Sequence, residues 1–356
     1  MAIQRKSGIE LLRIFAISGV ILLHYNNPLI GNGFEYASDN NLIALSVLQC
    51  LFSCSVNIFI LITGYFLCTS TKRDIMKPIS LLIMVMVTDL MFYMYSVVSG
   101  NTIWSLSTFA SELIPNNYFV ILYITLYFIS PFINKLILNL KSTDWNVLLI
   151  SLMLLFSIWP TMVDAINGIT NKEWFGLSSI GAWGSQYGYN IVNFSLLYII
   201  GAYLRIVKSH IYSISIPKLI LLIFIAVIIL FCCMYFASYH LVEVNSYTIS
   251  YHNPLVIALA ILMFLLFSRI DISSKIINAI AKSTFACFLI HGHIITHLYI
   301  YYFVQQPLII MILHIILSVM LCLGISYLFW KIYEFIIERP LKQIINCVIS
   351  YDGTRC

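Results

Sequence analysis

The sequence has few charged residues and lacks the short motifs that mark many soluble enzymes. Only 9% of its 356 residues are Asp, Glu, Lys or Arg, whereas 61% are hydrophobic. A soluble domain of this length would not hide so many apolar side chains, so the composition predicts a polytopic membrane protein. No C-x-x-C, H-E-x-x-H, G-x-S-x-G or P-loop motif occurs. These absences argue against a zinc or disulfide framework, a hydrolase elbow and a nucleotide-binding loop.

The chain also lacks linkers, low-complexity runs and a convincing internal repeat, so we expect one membrane domain over residues 1–356. Its formal charge of +5 is spread over many short loops. A dispersed charge of this kind does not indicate a nucleic-acid partner. Arg5 and Lys6 precede an apolar run, as in a secretion signal, but no small-residue cleavage site follows. We therefore expect the segment to be retained.

Ten apolar segments are separated by breaks rich in Asn, Gly and Pro. Seventeen of the 19 Lys and Arg residues fall in alternate connections, whereas the opposite connections hold only Lys172 and the first segment holds Arg13. This bias predicts that both termini are cytoplasmic. We predict an all-α integral membrane protein, a bundle of about ten transmembrane helices, with segments at 9–29, 43–68, 74–98, 118–139, 146–163, 189–207, 217–237, 252–268, 282–304 and 308–331.

The first segment carries three polar residues where lipid would favour leucine, namely Glu10, Arg13 and His24. At 100° per residue, the 11 steps from Arg13 to His24 complete three turns plus 20°, so the two side chains share a face ~16 Å apart along the axis. Glu10 precedes Arg13 by three residues and shares that face. Charged groups within a membrane are costly and mark an interior or a site. The register predicts a polar stripe that reaches about mid-membrane.

Other ionisable residues in the apolar segments permit several interpretations. A single buried histidine is more often a satisfied polar group than a catalyst. Asp89 could fix the tautomer of a histidine or make a contact between helices. His293 and His297 are four residues apart and could share a metal, but no third ligand is evident, so we expect no metal. The other ionisable residues considered in the apolar segments are His291 and His314.

The largest connection on the predicted outer side is about 164–188 and contains Trp174 and Trp183. Tryptophans at this level are typical interfacial anchors, although they could also form a platform on which sugar rings stack. The outer connections are acidic, with a single lysine, Lys172. Their acidic residues are Glu35, Asp39, Glu112, Asp164, Glu173 and Glu243.

The spacing of Glu10, Arg13 and His24, acidic-x-x-Arg followed by ten residues and His, resembles the first span of membrane acyltransferase family 3. Members of that family acylate cell-surface polysaccharides, lipid-linked sugars and related acceptors in bacteria. Further elements resemble the family in the same order and cover nearly the whole chain. They lie at 57–66, 72–78, 118–131, 283–291 and 338–340.

The resemblance implies an integral-membrane O-acyltransferase, most simply an O-acetyltransferase, in the inner (plasma) membrane of a bacterium. Acetyl-CoA or another acyl-CoA would be the co-substrate from the cytoplasm, and a glycan or lipid-linked sugar would be the acceptor. The alternatives from other classes are a transporter of a glycolipid or small solute, whose path polar residues would line, and a structural membrane subunit.

Within the acyltransferase hypothesis, His24 is the candidate base or acyl-carrying nucleophile, kept neutral by burial. Arg13 would hold acyl-CoA oxygens or stabilise an oxyanion, and Glu10 would orient Arg13. Lys72 and Arg73 would meet the nucleotide phosphates, although they also serve simply as positive-inside charges. The candidates for acceptor binding are Asp89, Trp174, Trp183 and His291.

Overall fold

The structure, a computed structural model, is helical and without strands over the residues that it describes, which are 7–170, 172, 174–207, 210–240 and 247–343. Part of the charge argument falls outside this range, on Arg5, Lys6, Glu173, Lys208, Glu243 and Arg355. The α-helices are α1 (Ser7–Asn26), α2 (Gly33–Tyr36), α3 (Asp39–Phe52), α4 (Ser55–Leu67), α5 (Met76–Val98), α6 (Leu106–Glu112), α7 (Tyr118–Ile137), α8 (Ser142–Met153), α9 (Trp159–Thr170), α10 (Ile191–Ile206), α11 (Ile216–His240), α12 (Pro254–Phe267), α13 (Lys275–Lys282), α14 (Thr284–Ile295), α15 (Ile300–Phe303) and α16 (Leu308–Tyr333).

Seven helical stretches of the described chain are long and apolar enough to cross a membrane. Three shorter apolar helices, α10, α12 and α14, lie within the other three predicted segments. The all-α architecture and the multi-pass membrane character are therefore confirmed, whereas ten crossings and cytoplasmic termini stay predictions. The seven stretches are Ser7–Asn26, Asp39–Leu67, Met76–Val98, Tyr118–Ile137, Ser142–Thr170, Ile216–Ala237 and Leu308–Gln343.

The helix within the ninth predicted segment, 282–304, is shorter than the sequence suggests. It ends at Ile295, and Tyr299 then adopts a left-handed backbone with φ of 51°. His314 holds this turn, because its Nε2 donates to the carbonyl oxygen of Leu298 at 3.0 Å. Its Nδ1 is then free to accept from the hydroxyl of Tyr25 at 2.9 Å. His314 thus ties α1 and α16 to the turn after α14.

The first helix, α1, lies at the centre of the bundle and packs against α3, α4, α12, α13, α14 and α16. Ser7 fixes its start. The Ser7 hydroxyl donates to Oδ1 of Asn278 at 3.0 Å and accepts from the backbone N–H of Ser274 at 2.9 Å. Because other helices surround α1, its polar residues face the protein interior, where charged groups within a membrane belong.

Close packing of α4 against α10 supports the helices around α1. A Cβ atom at Gly64 would collide with the carbonyl oxygen of Tyr198, and one at Gly201 would collide with that of Leu61. Two glycines facing each other's helix allow the backbones this close approach. The hydroxyl of Tyr198 donates to Oδ1 of Asn134 at 2.8 Å, which adds α7 to the pair. These contacts position the residues of α4 and α7 that line the cavities described below.

Candidate active site

His24 of α1 meets His291 of α14 in the interior of the bundle. Nδ1 of His24 is hydrogen-bonded to Nε2 of His291. The ring planes differ by only 16° and the ring centres lie 4.6 Å apart. Because the N–H bond and the lone pair of an imidazole lie in the ring plane, this hydrogen bond joins the two imidazoles edge to edge. Nδ1 of His291 lies 2.9 Å from the carbonyl oxygen of Cys287, one turn earlier in α14.

Both histidines line a cavity of about 760 Å³, which we call the histidine cavity. His291 is buried and His24 is half-buried, so His24 is the more accessible of the two. Aromatic and amide side chains make up much of the wall, which suits an uncharged polar ligand such as a sugar. Its polar and aromatic lining includes Asn27, Gln49, Asn117, Tyr118, Tyr187, Tyr189 and Tyr251.

Arg13 lines a second, smaller cavity of about 330 Å³ together with Lys77 and Lys282, which we call the basic cavity. Nη1 of Arg13 donates to both carboxylate oxygens of Glu10, at 3.0 and 2.8 Å. Glu10 therefore holds the guanidinium from one side and leaves its other donors available. A further cavity of about 340 Å³ shares Lys77 and Lys282 with the basic cavity. Three cations around a small space make the local potential positive.

The basic cavity and the histidine cavity adjoin each other along α1. The side chains of Val20, Val56 and Phe288 line both of them. Arg13 lies on one side of this apolar constriction and His24 on the other. The face of α1 that the helical register predicts, with Arg13 and His24, therefore lines both cavities in turn.

Lys72 and Arg73 do not line the basic cavity. Arg73 is occupied within the protein, because its Nε and Nη2 donate to the hydroxyl of Ser130, at 3.1 and 2.6 Å. Its Nη1 donates to the carbonyl oxygen of Ser70 at 2.9 Å, so the guanidinium fastens the connection after α4 to α7. Lys72 is exposed. Their assignment to the phosphates remains a prediction, and the lysines that share a cavity with Arg13 are Lys77 and Lys282.

Asp89 lines a third cavity, of about 850 Å³, with Glu112, His293 and His297. We call it the side cavity. His293 lines both the side cavity and the histidine cavity, so the two are neighbours. Within the described part of the chain, no three His, Cys, Asp or Glu side chains converge as metal ligands.

Trp174 and Trp183 are exposed and do not line the histidine cavity. Trp183 makes an edge contact with Phe175, with ring centres 4.8 Å apart. Their predicted role with the acceptor would require a ligand that extends beyond the cavity. The aromatic lining of the cavity itself comes from tyrosines that sequence reasoning did not single out as binding residues, among them Tyr187 and Tyr251.

A buried polar network holds the wall of the histidine cavity and was also missed from the sequence. Oδ2 of Asp164 lies 3.2 Å from Nε2 of His252 and accepts a hydrogen bond from the hydroxyl of Ser185. All three residues are nearly inaccessible to solvent. Ser185 and His252 flank the cavity residues Tyr187 and Tyr251, and the backbone N–H of Tyr251 donates to the carbonyl oxygen of Tyr187 at 3.0 Å. The network therefore joins two distant segments into one wall.

Apolar helices around a polar interior with two adjoining cavities define a multi-pass membrane protein built to hold small molecules inside the bundle. A sequence model described as "Acyltransferase domain" matches residues 6–331, so the chain belongs to membrane acyltransferase family 3 and is an acyltransferase. This match confirms the family resemblance. No curated protein and no solved structure matches the chain.

Proposed function

We propose that the protein is an O-acyltransferase of the bacterial inner membrane that moves an acyl group, most simply acetyl, from acyl-CoA to a hydroxyl of a glycan or lipid-linked sugar. One observation carries the proposal. A single helix, α1, lines a cationic cavity through Arg13 and an adjoining aromatic cavity through His24, with Val20 between them lining both. Family membership favours an enzyme over the transporter and the structural subunit.

The basic cavity suits the donor. Acyl-CoA combines several phosphates with an apolar arm that ends in a thioester. Arg13, Lys77 and Lys282 would attract the phosphates, and the apolar constriction at Val20 and Phe288 would receive the arm. Arg13 is oriented by Glu10, so it could also donate to an oxygen of the donor in a fixed direction.

The histidine cavity suits the acceptor. A sugar hydroxyl becomes a good nucleophile only as its proton is removed, and a neutral imidazole performs that task. Tyr118, Tyr187 and Tyr189 would offer ring faces and hydroxyls to a sugar. His24 could act as the base in direct transfer, or it could carry the acyl group itself before the acceptor takes it.

The distribution of charge suggests how the two substrates approach. Lys77 and Lys282 of the basic cavity belong to the set of connections that carries most Lys and Arg. Acyl-CoA is a cytoplasmic metabolite too charged to cross the bilayer. We propose that the donor enters from the cytoplasmic face, where both termini of a ten-span bundle would lie. The acceptor would enter the histidine cavity from the opposite face.

Oriented proteoliposomes that contain the purified protein test this function. Labelled acetyl-CoA is supplied on one face and fractionated envelope glycans or glycolipids on the other, and both thiol release and label in the acceptor are measured. We expect transfer only when acetyl-CoA is on the face of the termini, and none with His24→Gln. Wild-type protein that releases no thiol with any acceptor fraction would contradict the acyl-CoA reaction. A need for both substrates on one face would contradict only the through-membrane arrangement.

A further inference from the structure

The hydrogen bonds of His291 define which of its nitrogens carries the proton. Nδ1 lies 2.9 Å from the carbonyl oxygen of Cys287. A carbonyl oxygen can only accept, so Nδ1 of His291 must be the N–H donor. A neutral imidazole has a single N–H, so Nε2 of His291 is left as an acceptor. The main chain of α14 therefore determines the tautomer of His291.

The same reasoning extends to His24. Nε2 of His291 contacts Nδ1 of His24, and an acceptor on His291 requires a donor on His24. Nδ1 of His24 then carries the proton, and its Nε2 holds the free lone pair. Resting on the function proposed above, we propose that His291 is a positioning residue, which holds His24 as the Nδ1–H tautomer so that Nε2 is the atom that accepts the proton.

This assignment differs from the acceptor-binding role that the sequence suggests for His291. His291 is buried, with 3% of its surface exposed, and its two ring nitrogens are both engaged within the protein. No ring nitrogen of His291 remains for a sugar. His24 is the accessible member of the pair.

The tautomer matters at each stage of the transfer. As the acceptor oxygen bonds to the acyl carbon, its proton passes to Nε2 of His24. The carbon–sulfur bond then breaks, and the departing thiolate takes that proton, so the products are the ester and free CoA thiol. While His24 is an imidazolium, its Nδ1–H bond to His291 becomes charge-assisted and therefore stronger. In an acyl-histidine route, the same Nε2 lone pair would attack the thioester, and the carbon–sulfur bond would break to give CoA thiolate and an Nε2-acylated imidazolium. The acceptor oxygen would then take the acyl group from Nε2, and its proton would pass to the thiolate.

In many enzymes with a catalytic histidine, a third group orients the base. Here the orienting group, His291, is neutral and is itself hydrogen-bonded to a main-chain carbonyl oxygen. A carboxylate in the place of His291 would bring an extra charge into the membrane interior at high cost. Two neutral imidazoles and a carbonyl oxygen provide orientation without that cost.

The tautomer can be measured without any substrate. Protein labelled with ¹⁵N-histidine is purified and its histidine ¹⁵N resonances are recorded, with those of His24 assigned by difference from His24→Gln. We expect His24 in the wild type to be the Nδ1–H tautomer, whereas imidazole in water favours Nε2–H. A His24 signal from the Nε2–H tautomer in the wild type would overturn the proposal, whatever the variants do.

Two substitutions at His291 separate orientation from packing. His291→Gln keeps a carbonyl oxygen that can accept from His24, whereas His291→Phe keeps the ring and loses the acceptor. We expect His291→Phe to release His24 from the Nδ1–H tautomer and to lower kcat on the order of 10²-fold. His291→Gln should keep the tautomer and restore kcat to within ~10-fold of the wild type. KM for acyl-CoA should not change, because His291 does not line the basic cavity.

A matched control is Leu317→Phe on the exposed face of α16, outside the cavities described above, which should leave both kcat and the His24 tautomer unchanged. Equal losses in the Phe and Gln variants would show a purely structural role and overturn the proposal. A rise in acceptor KM at constant kcat would instead assign His291 to acceptor binding and would also overturn it. Failure of the proposed function would give a different result. The wild type would then consume no thioester, but the tautomer of His24 could still be measured.

Discussion

Removing the cations of the basic cavity should weaken donor binding by an amount that follows from their exposure. Lys77 is exposed, and its ammonium lies 5.6 Å from the ring centre of Tyr123 and 5.4 Å from that of Tyr127. A solvent-accessible ion pair contributes ~1 kcal/mol or less, and both Lys77 and Lys282 are exposed. Taking ~1 kcal/mol for each lysine, Lys77→Gln should raise KM for acetyl-CoA about 5-fold, and the double variant with Lys282→Gln about 25-fold.

The assay is the initial rate of thiol release at varied acetyl-CoA concentration, at low and at high ionic strength. Because salt screens accessible charges, the KM difference between wild type and variant should shrink as salt rises, while kcat stays within about twofold. The matched control is Lys72→Gln, a lysine in the connection just before α5 that lies outside the cavity. If Lys72→Gln raises KM as much as Lys77→Gln does, the phosphates bind at the surface near residue 72 and the argument from the cavity is wrong.

Four further outcomes are expected. His24→Gln should lower turnover on the order of 10²–10⁴-fold without unfolding the protein, and more than about a tenth of wild-type turnover in the purified variant would exclude His24 as the base. Arg13→Lys should impair transfer although it keeps the charge. A planar guanidinium can hydrogen-bond to Glu10 and to acyl-CoA at the same time, whereas an ammonium lacks that fork geometry. Adding Arg13→Lys to His24→Gln should cost little more if the two act as one unit, and multiplicative losses would indicate independent roles. In a cysteine-free background, an impermeant thiol reagent outside the cell should label Lys172→Cys but not Lys141→Cys, and the reverse pattern would invert the predicted orientation.

The elements that could be predicted from the sequence are those encoded locally. Long apolar runs bounded by polar breaks gave the positions of the membrane helices, because burial in lipid demands uninterrupted hydrophobic length. The 11-residue spacing of Arg13 and His24 predicted a shared face of α1, because helical register is fixed by the backbone. In the structure that helix is surrounded by others, and Val20 between the two residues lines both cavities.

The elements that could not be predicted depend on contacts between distant segments. His24 and His291 are 267 residues apart, and one histidine among several in the apolar segments gives no local sign of its partner. Tyr187 and Tyr251 look like ordinary interfacial aromatics in sequence, and their place in the cavity wall follows from the buried pair of Asp164 and His252. The helix end at Ile295 depends on a contact with His314, which no apolar run reveals.

The arrangement along α1 separates two requirements that conflict in a membrane. A phosphate-bearing donor needs cations that water can reach, whereas proton transfer at an imidazole needs a neutral ring with a fixed lone pair. Placed side by side, Arg13 and His24 would oppose each other, because a nearby guanidinium disfavours a positive charge on the ring. Three turns of helix and the apolar side chains of Val20, Val56 and Phe288 keep the cations at one end and the histidine pair at the other. In the proposed reaction, the only part of acyl-CoA that would have to pass this constriction is its uncharged arm, which is the part that would carry the thioester to His24.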